Sequence, residues 1–468
     1  MIKGRILFPL LLAILFGSCS FAPEYRKPSA PVPDTWPAGP AYSKVRADDA
    51  VPFAKELTWQ EFITDRHMQE VIEMAIAYNR DMRVAVLNVQ RARALYGIQK
   101  GELWPAVGAV GLGVKERIPA DLSSTGTSIT AEQYSVDLGI SSWELDFFGR
   151  IRNLKQRALE EYLATDEARR SAEILLIAST ASAYLSLAAD RENLNLARST
   201  LEAQKTSYTL IGKRFDVGLA SELDLRRAQS QVDAAKGDVA LYTQLTAQDE
   251  NALRLLIGQS LPQKLLPTDL AGVIPPREIS AGLSSDLLLR RPDVLAAEHR
   301  LKASHANIGA ARAAFFPNIA LTATVGTASK DLSGLFSSGS GVWNFMPRIS
   351  MPIFDPSIRP AYEVTKVDKE IILAQYEDTI QEAFREVADA LAVHGTVSER
   401  IKAQQDLVEA IAETYRLSNA RYLKGIDSYL GVLDAQRSLY AAQEGLITLY
   451  LSRLINRITL YQVLGGGY

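Results

Sequence analysis

The sequence predicts an α+β membrane protein made of two structural repeats, each holding two short strands and a pair of very long helices. Three observations predict it: an internal duplication, only four strand-like stretches in 468 residues, and helical runs far longer than those of globular proteins.

The duplication is read directly. Residues 214–258, beginning RFDVGLASELDLRRAQSQVDAAK, align without a gap on residues 421–465, beginning RYLKGIDSYLGVLDAQRSLYAAQ. Gly425 falls 207 positions after Gly218, and the same offset joins Ser428 to Ser221, Leu430 to Leu223, Gln436 to Gln229 and Gly465 to Gly258. Each copy carries an apolar stripe at alternating steps of three and four: Leu225, Ala228, Val232, Ala235, Val239 and Tyr242, then Val432, Ala435, Leu439, Ala442, Leu446 and Leu449. A period near 3.5 over so many turns describes a helix packed lengthwise on a long neighbour.

Composition is ordinary, with 22% charged and 47% hydrophobic residues, and no tract reads as long and apolar enough for a spanning helix. The net charge of −3 becomes −5 without Lys3 and Arg5, which argues against nucleic acid as a partner. Residues 1–18 read as an export signal: two basic residues, an apolar run from Ile6 to Phe16 too short to cross a bilayer, then Gly17 and Ser18. Cys19, the only cysteine, follows at once and has no disulfide partner in the chain. Small residues before a cysteine at that point resemble a bacterial lipobox, which makes Cys19 the expected acylated first residue of the mature protein. Ser20, in place of an aspartate that would retain a lipoprotein in the inner membrane, points to the outer membrane.

From Phe21 to Pro52 prolines recur too often for helix or inner strand, so this stretch is expected as an extended arm, docked through Trp36, Tyr42, Phe53 and Trp59. Helical periodicity runs from Met68 to about Trp104 and stops at Pro105. Val110, Leu112 and Val114 then alternate with Gly111, Gly113 and Lys115, the period of a strand. A second strand alternates Tyr134, Val136, Leu138 and Ile140 with Ser135, Asp137, Gly139 and Ser141, and its phase slips at Trp143, which predicts a bulge. No proline interrupts residues 149–214, a predicted helix on the order of 100 Å long. The break DVGLAS at residues 216–221 leads into the first copy of the long stripe, and Gln259 to Pro276 is a proline-rich connector. The second half repeats this order. Helix spans about Asp286 to Phe316, strands follow around Ile319–Val325 and Trp343–Met351, and helix resumes from about Pro360 to Tyr422, ending at Gly425. The domain reading is therefore leader 1–18, lipid-anchored arm 19–66, repeat one 67–258, equatorial connector 259–285 and repeat two 286–468.

Strands of about ten residues suit a tilted bilayer crossing, with Gly111, Gly113, Ser135, Asp137, Thr322, Thr324 and Arg348 expected toward water and apolar residues toward lipid. Four strands in lipid leave two unpaired edges, so the sheet has to close with other copies of the chain. Two chains give eight strands and an interior filled by side chains; three give twelve and an open lumen.

The paired RF/RY stretches, SWELDFFG at residues 142–149, LLLRRPDVLAAE at 287–298, ARAAFFP at 311–317 and the lipobox together resemble the TolC/OprM outer-membrane factors, and most of all the lipid-anchored OprM branch. The resemblance covers the whole mature chain. It implies a homotrimer with a 12-stranded β-barrel in the outer membrane, continued by a 12-helix periplasmic α-barrel. It also implies a periplasmic adaptor (membrane fusion protein) and an inner-membrane pump of the RND type, the chain itself being a passive, gated exit duct for drugs or other small molecules.

The glycine turns at 218 and 425 are expected at the periplasmic tip. Asp427, Leu430, Asp434 and Arg437 stand at steps of three and four on one helix face, so in a three-fold assembly Asp434 becomes a carboxylate ring and Leu430 an apolar constriction. By resemblance these residues, with Asp224, are the periplasmic gate; a capping role competes for Asp224 and Asp427. His67, His299, His305 and His394 show no metal spacing, GAVGLG at 108–113 lacks the dinucleotide-binding spacing, and no cofactor beyond lipid at Cys19 is expected. The competing reading is a lipid-anchored coiled-coil scaffold or pump adaptor without a pore, which has no use for four amphipathic strands.

Overall fold

The computed structural model describes residues 21–42, 52–53, 56–280, 282 and 284–467, so the leader and Cys19 lie outside the described residues. In order the chain forms α1 (Trp59–Phe62), α2 (Arg66–Tyr78), α3 (Arg80–Gly101), β1 (Val107–Ile118), β2 (Ile129–Glu144), α4 (Arg150–Asp216) and α5 (Glu222–Ile257). It then forms α6 (Pro292–Ala313), β3 (Asn318–Ser329), β4 (Gly341–Ser350), α7 (Ile358–Leu423) and α8 (Tyr429–Val463). α4 and α7 run unbroken for 67 and 66 residues. Two compact units divide the chain, and neither is a repeat: each draws segments from both.

One unit gathers residues up to 29 with 88–166 and 296–376. It contains one antiparallel sheet of order β1-β2-β3-β4, which leaves β1 and β4 as its edges. The phase slip at Trp143 is a register shift between Ile140 and Trp143, which keeps Trp143 on the face of Leu321. Register also corrects the assignment of faces. Residues directly opposite in an antiparallel pair share a face. Gly111 stands opposite Val136 and Gly113 opposite Tyr134, whereas Val110, Leu112 and Val114 stand opposite Asp137, Ser135 and Gln133. The glycines of β1 therefore belong to the apolar face, and its Val-Leu-Val set to the polar one. Alternation within a strand separates two sets of residues, but only pairing says which set joins which on the neighbour.

The docked arm is present in this unit. Phe21 stacks on Phe316, with ring centroids 4.5 Å apart, and its carbonyl accepts from Arg312 Nη1. Ala22 lies so close to Gly309 that a Cβ there would sit 2.8 Å from its Cα. Tyr25 packs edge-on against His305, and Lys27 pairs with the buried Glu298 at 3.0 Å. His299 Nδ1 lies 2.7 Å from Glu160.

The other unit holds residues 30–87, 167–295 and 377 onward. Here Trp36 is buried, stacks on Phe384 and donates from Nε1 to the Gly282 carbonyl. One stretch of α4 is in fact apolar enough to span a bilayer by length and composition, contrary to the reading above. Its Ala181, Tyr184, Leu185 and Ala188 are at most 1% exposed, which makes it a packed core helix. The helix expected from Met68 to Trp104 is interrupted at Asn79, whose backbone is extended (φ −59°, ψ 135°). Asn79 Oδ1 accepts from the Met82 N–H at 2.8 Å, and Nδ2 donates to the Leu256 carbonyl at 2.8 Å. The asparagine thus ends α2, caps α3 and ties both to the end of α5. Likewise the run expected as helix from Asp286 opens with a short 3₁₀ turn (Ser285–Arg290), and the α-helix proper starts at Pro292, where proline lacks only an N–H that the first turn does not use.

Asn79→Ala removes both bonds. It should cost about 1–3 kcal/mol and lower the midpoint of helical unfolding followed by circular dichroism, without changing the helix content of the folded protein.

Candidate functional site

The two glycine turns have one geometry. Gly218 donates to the Phe215 carbonyl (2.9 Å) and Leu219 to that of Arg214 (2.7 Å); Gly425 donates to Tyr422 (2.9 Å) and Ile426 to Arg421 (3.0 Å). These are paired Schellman caps, and they require the left-handed φ of 75° at Gly218 and 73° at Gly425 that glycine adopts without strain. The duplicated sequence is thus a duplicated hairpin. An apolar cluster of Ile211, Ala228, Tyr422, Tyr429, Val432 and Leu433 binds the two hairpins to each other.

Around this cluster the copies differ. Arg421 clasps Asp427 across the second turn, through Nε to Oδ2 and Nη2 to Oδ1 (3.1 Å). These bonds hold the Asp427 carboxyl below its usual range, so the clasp persists as pH falls and is lost only when acid reaches that lowered pKa. The corresponding position in the first copy is Ala220, and there Arg214 lies over the Tyr422 ring, 4.8 Å from its centroid. Burial pushes the Tyr429 hydroxyl up to about 12.

The predicted site residues separate into two groups. Asp224 sits in a capping box: its N–H donates to Ser221 Oγ (3.1 Å), and its carboxylate accepts from the Ser221 N–H and hydroxyl. Leu430, Asp434 and Arg437 lie exposed on one face of α8, while Tyr429, Val432, Leu433, Ala435 and Gln436 are buried on the other. Asp434 and Arg437 line a groove of ≈ 540 Å³ with Asp238, Gln231, Thr200 and Gln204. At the offset of 207, Asp434 corresponds to Arg227, so carboxylate and guanidinium alternate between the copies. Arg421, Tyr422 and Tyr429 were missed as site residues, although the RF/RY alignment marks Arg421 and Tyr422.

Further along the same helix pairs, Asp190 of α4 and Asp249 of α5 share a hydrogen bond. Burial, then the Asp190 charge, pushes Asp249 up to about 6. Among the described residues no group of three or more His, Cys, Asp or Glu is arranged to hold a metal.

A family model, "Outer membrane efflux protein", matches the chain twice, at residues 71–259 and 283–466, once on each repeat. The chain belongs to the outer membrane efflux protein family. It is 46% identical to the probable efflux pump outer membrane protein TtgC of Pseudomonas putida, over 97% of this chain and 94% of that protein. It is 41% identical to outer membrane protein OprJ of Pseudomonas aeruginosa, over 98% and 95%. Among solved structures, the open-state outer membrane channel MtrE of Neisseria gonorrhoeae superposes with a TM-score of 0.86 at 35% identity, covering 96% of this chain and 98% of that one. The protein is therefore the outer-membrane component of an efflux pump in a Gram-negative envelope. Its fold is that of the trimeric channels, with four strands per chain in a shared 12-stranded barrel and long helices in an α-barrel. The scaffold without a pore is set aside.

For Asp249 the sign follows from the raised pKa. The folded state holds this proton more tightly than the unfolded chain does, so its contribution favours folding below about pH 4 and is lost as pH rises toward 6. Asp249→Asn should raise the melting midpoint of the helices at pH 7 by about 2 °C or more and leave it unchanged near pH 4.

Proposed function

We propose that three copies of Leu430 and Asp434 close the periplasmic end of the duct, with Arg437 beside them and with Asp224 and Asp427 holding the turns that carry them. The observation behind this is the division of α8 into a buried face and an exposed face bearing Leu430, Asp434 and Arg437. Under three-fold symmetry each exposed residue becomes a ring. Leucine rings close pores by dewetting, and carboxylate rings repel one another unless cations or guanidinium groups lie between them. Arg437 on the same face and Arg227 on the alternate hairpin supply such groups.

The duct is passive, and the energy comes from an inner-membrane pump of the RND type through a periplasmic adaptor. Relatives named for antibiotic efflux and for toluene efflux support a cargo of drugs and apolar organic molecules. The lipobox supports acylation at Cys19.

The purified trimer of Leu430→Ala/Asp434→Ala in a planar bilayer should conduct several-fold more in its closed state than the parent, because both constrictions are removed at once. Unchanged conductance removes these residues from the gate. Cys19→Ser should abolish incorporation of labelled palmitate yet leave a detergent-extractable trimer in the outer membrane, since a closed barrel anchors itself. Release of that variant as a soluble protein contradicts this.

A further inference from the structure

We infer that Val110, Leu112 and Val114 of β1 form an apolar track on the lumen wall of the barrel, three per trimer, which adsorbs the apolar body of solutes in transit and favours those carrying positive charge. The inference rests on the duct reading and adds a substrate class to it.

Strand register fixes which face meets water. One face carries Val136, Leu138, Ile140, Val325, Trp343, Phe345 and Ile349, joined by the pairs Leu138 to Val325, Val325 to Trp343, Ala323 to Phe345 and Ile319 to Ile349. The other carries Asp137, Ser135, Thr322, Thr324, Asn344 and Arg348, joined by Gly139 to Thr324 and Thr324 to Asn344. The first face also carries Lys115, Arg117 and Glu132, all within three residues of the β1–β2 hairpin, whereas Asp137 stands midway along β2. A charge toward lipid costs about 0–1 kcal/mol near the interfaces but up to about 2–4 kcal/mol near the bilayer midplane, so the face with Asp137 is the lumen. β1 inverts the pattern of its neighbours. Its glycines lie toward lipid, where the Tyr134 ring covers Gly113 at 3.3 Å from a Cβ position, and its branched apolar residues lie toward water.

These three side chains are 58%, 54% and 40% exposed and follow one another along about 14 Å of strand. Single exposed apolar residues are ordinary on any surface. Three in succession on one strand make a continuous strip, within a face whose other large apolar residues are Met346 and Val342 of β4 and the Ile118–Ile129 pair at the hairpin end. An apolar solute touching it removes area from water on both sides and breaks no hydrogen bond. Val110 has Asp137 as its cross-strand neighbour, which adds attraction for a cationic group attached to an apolar body. The strip encloses nothing, so the hold is weak and release is easy, as conduction requires.

The test uses the full trimer in lipid nanodiscs, with Cys19→Ser removing the native thiol. Gln133→Cys reports on the lumen face, opposite Val114, and Val136→Cys on the lipid face. A membrane-impermeant cationic thiol reagent should label Gln133→Cys at least about tenfold faster than Val136→Cys. Tetraphenylphosphonium should slow that labelling about tenfold while tetramethylammonium does not, and Val110→Thr/Leu112→Ser/Val114→Thr should bring the protection to within about twofold of none. Faster labelling of Val136→Cys, absence of protection in the parent, or full protection in the triple variant overturns the inference. Should the triple variant fail to assemble, Leu112→Ser alone is read the same way, and unchanged protection overturns it. No labelling at either position would overturn the duct reading itself, and this one with it.

Discussion

Backbone hydrogen bonding in lipid is the constraint on which the structure depends. β2 and β3 are paired on both sides, but β1 and β4 each present a row of amides and carbonyls with no strand beside it among the described residues. In hydrocarbon each such group costs several kcal/mol, and neither side chains nor water can satisfy a whole edge. Only another copy can, with β1 of one chain meeting β4 of the next. From that closure follow the shared barrel, the division of each strand into a lipid and a lumen face, and the three-fold repetition of whatever α8 exposes.

The helices obey a related rule with different means. α4 and α7 are each far too long to bury one face within a compact domain, so they bury stripes along their length against neighbours. Their ends need termination without loss of packing, and the two Schellman turns supply it with one glycine each. Duplication made both hairpins alike in backbone and left their side chains free to diverge. One now holds an Arg421–Asp427 clasp, and the other has Ala220 where the acid would be. Both hairpins expose a leucine one turn on, Leu223 and Leu430, but Asp434 occurs beside the clasp alone, with Arg227 at its place in the first copy.

Much of this was legible in the sequence because it rests on local periodicity. The stripe period gave the helices, alternation gave the four strands, the slip at Trp143 gave the bulge, and steps of three and four gave the α8 face. What was not legible rests on pairing between distant segments. The face of β1 depends on which residue of β2 stands opposite Val110, and both registers satisfy the alternation equally. The break at Asn79 depends on the Leu256 carbonyl, 177 positions away. The role of Arg421 depends on the turn folding Asp427, six positions on, back within reach, which periodicity alone does not show.

Amide hydrogen exchange of the protein in lipid nanodiscs, resolved strand by strand, tests the closure most directly. The account predicts that the outward amides of β1 and β4 exchange as slowly as those of β2 and β3, because each edge is paired to a neighbouring copy. Rapid exchange along β1 and β4 in protein whose β2 and β3 remain protected would show open edges in the membrane and contradict it.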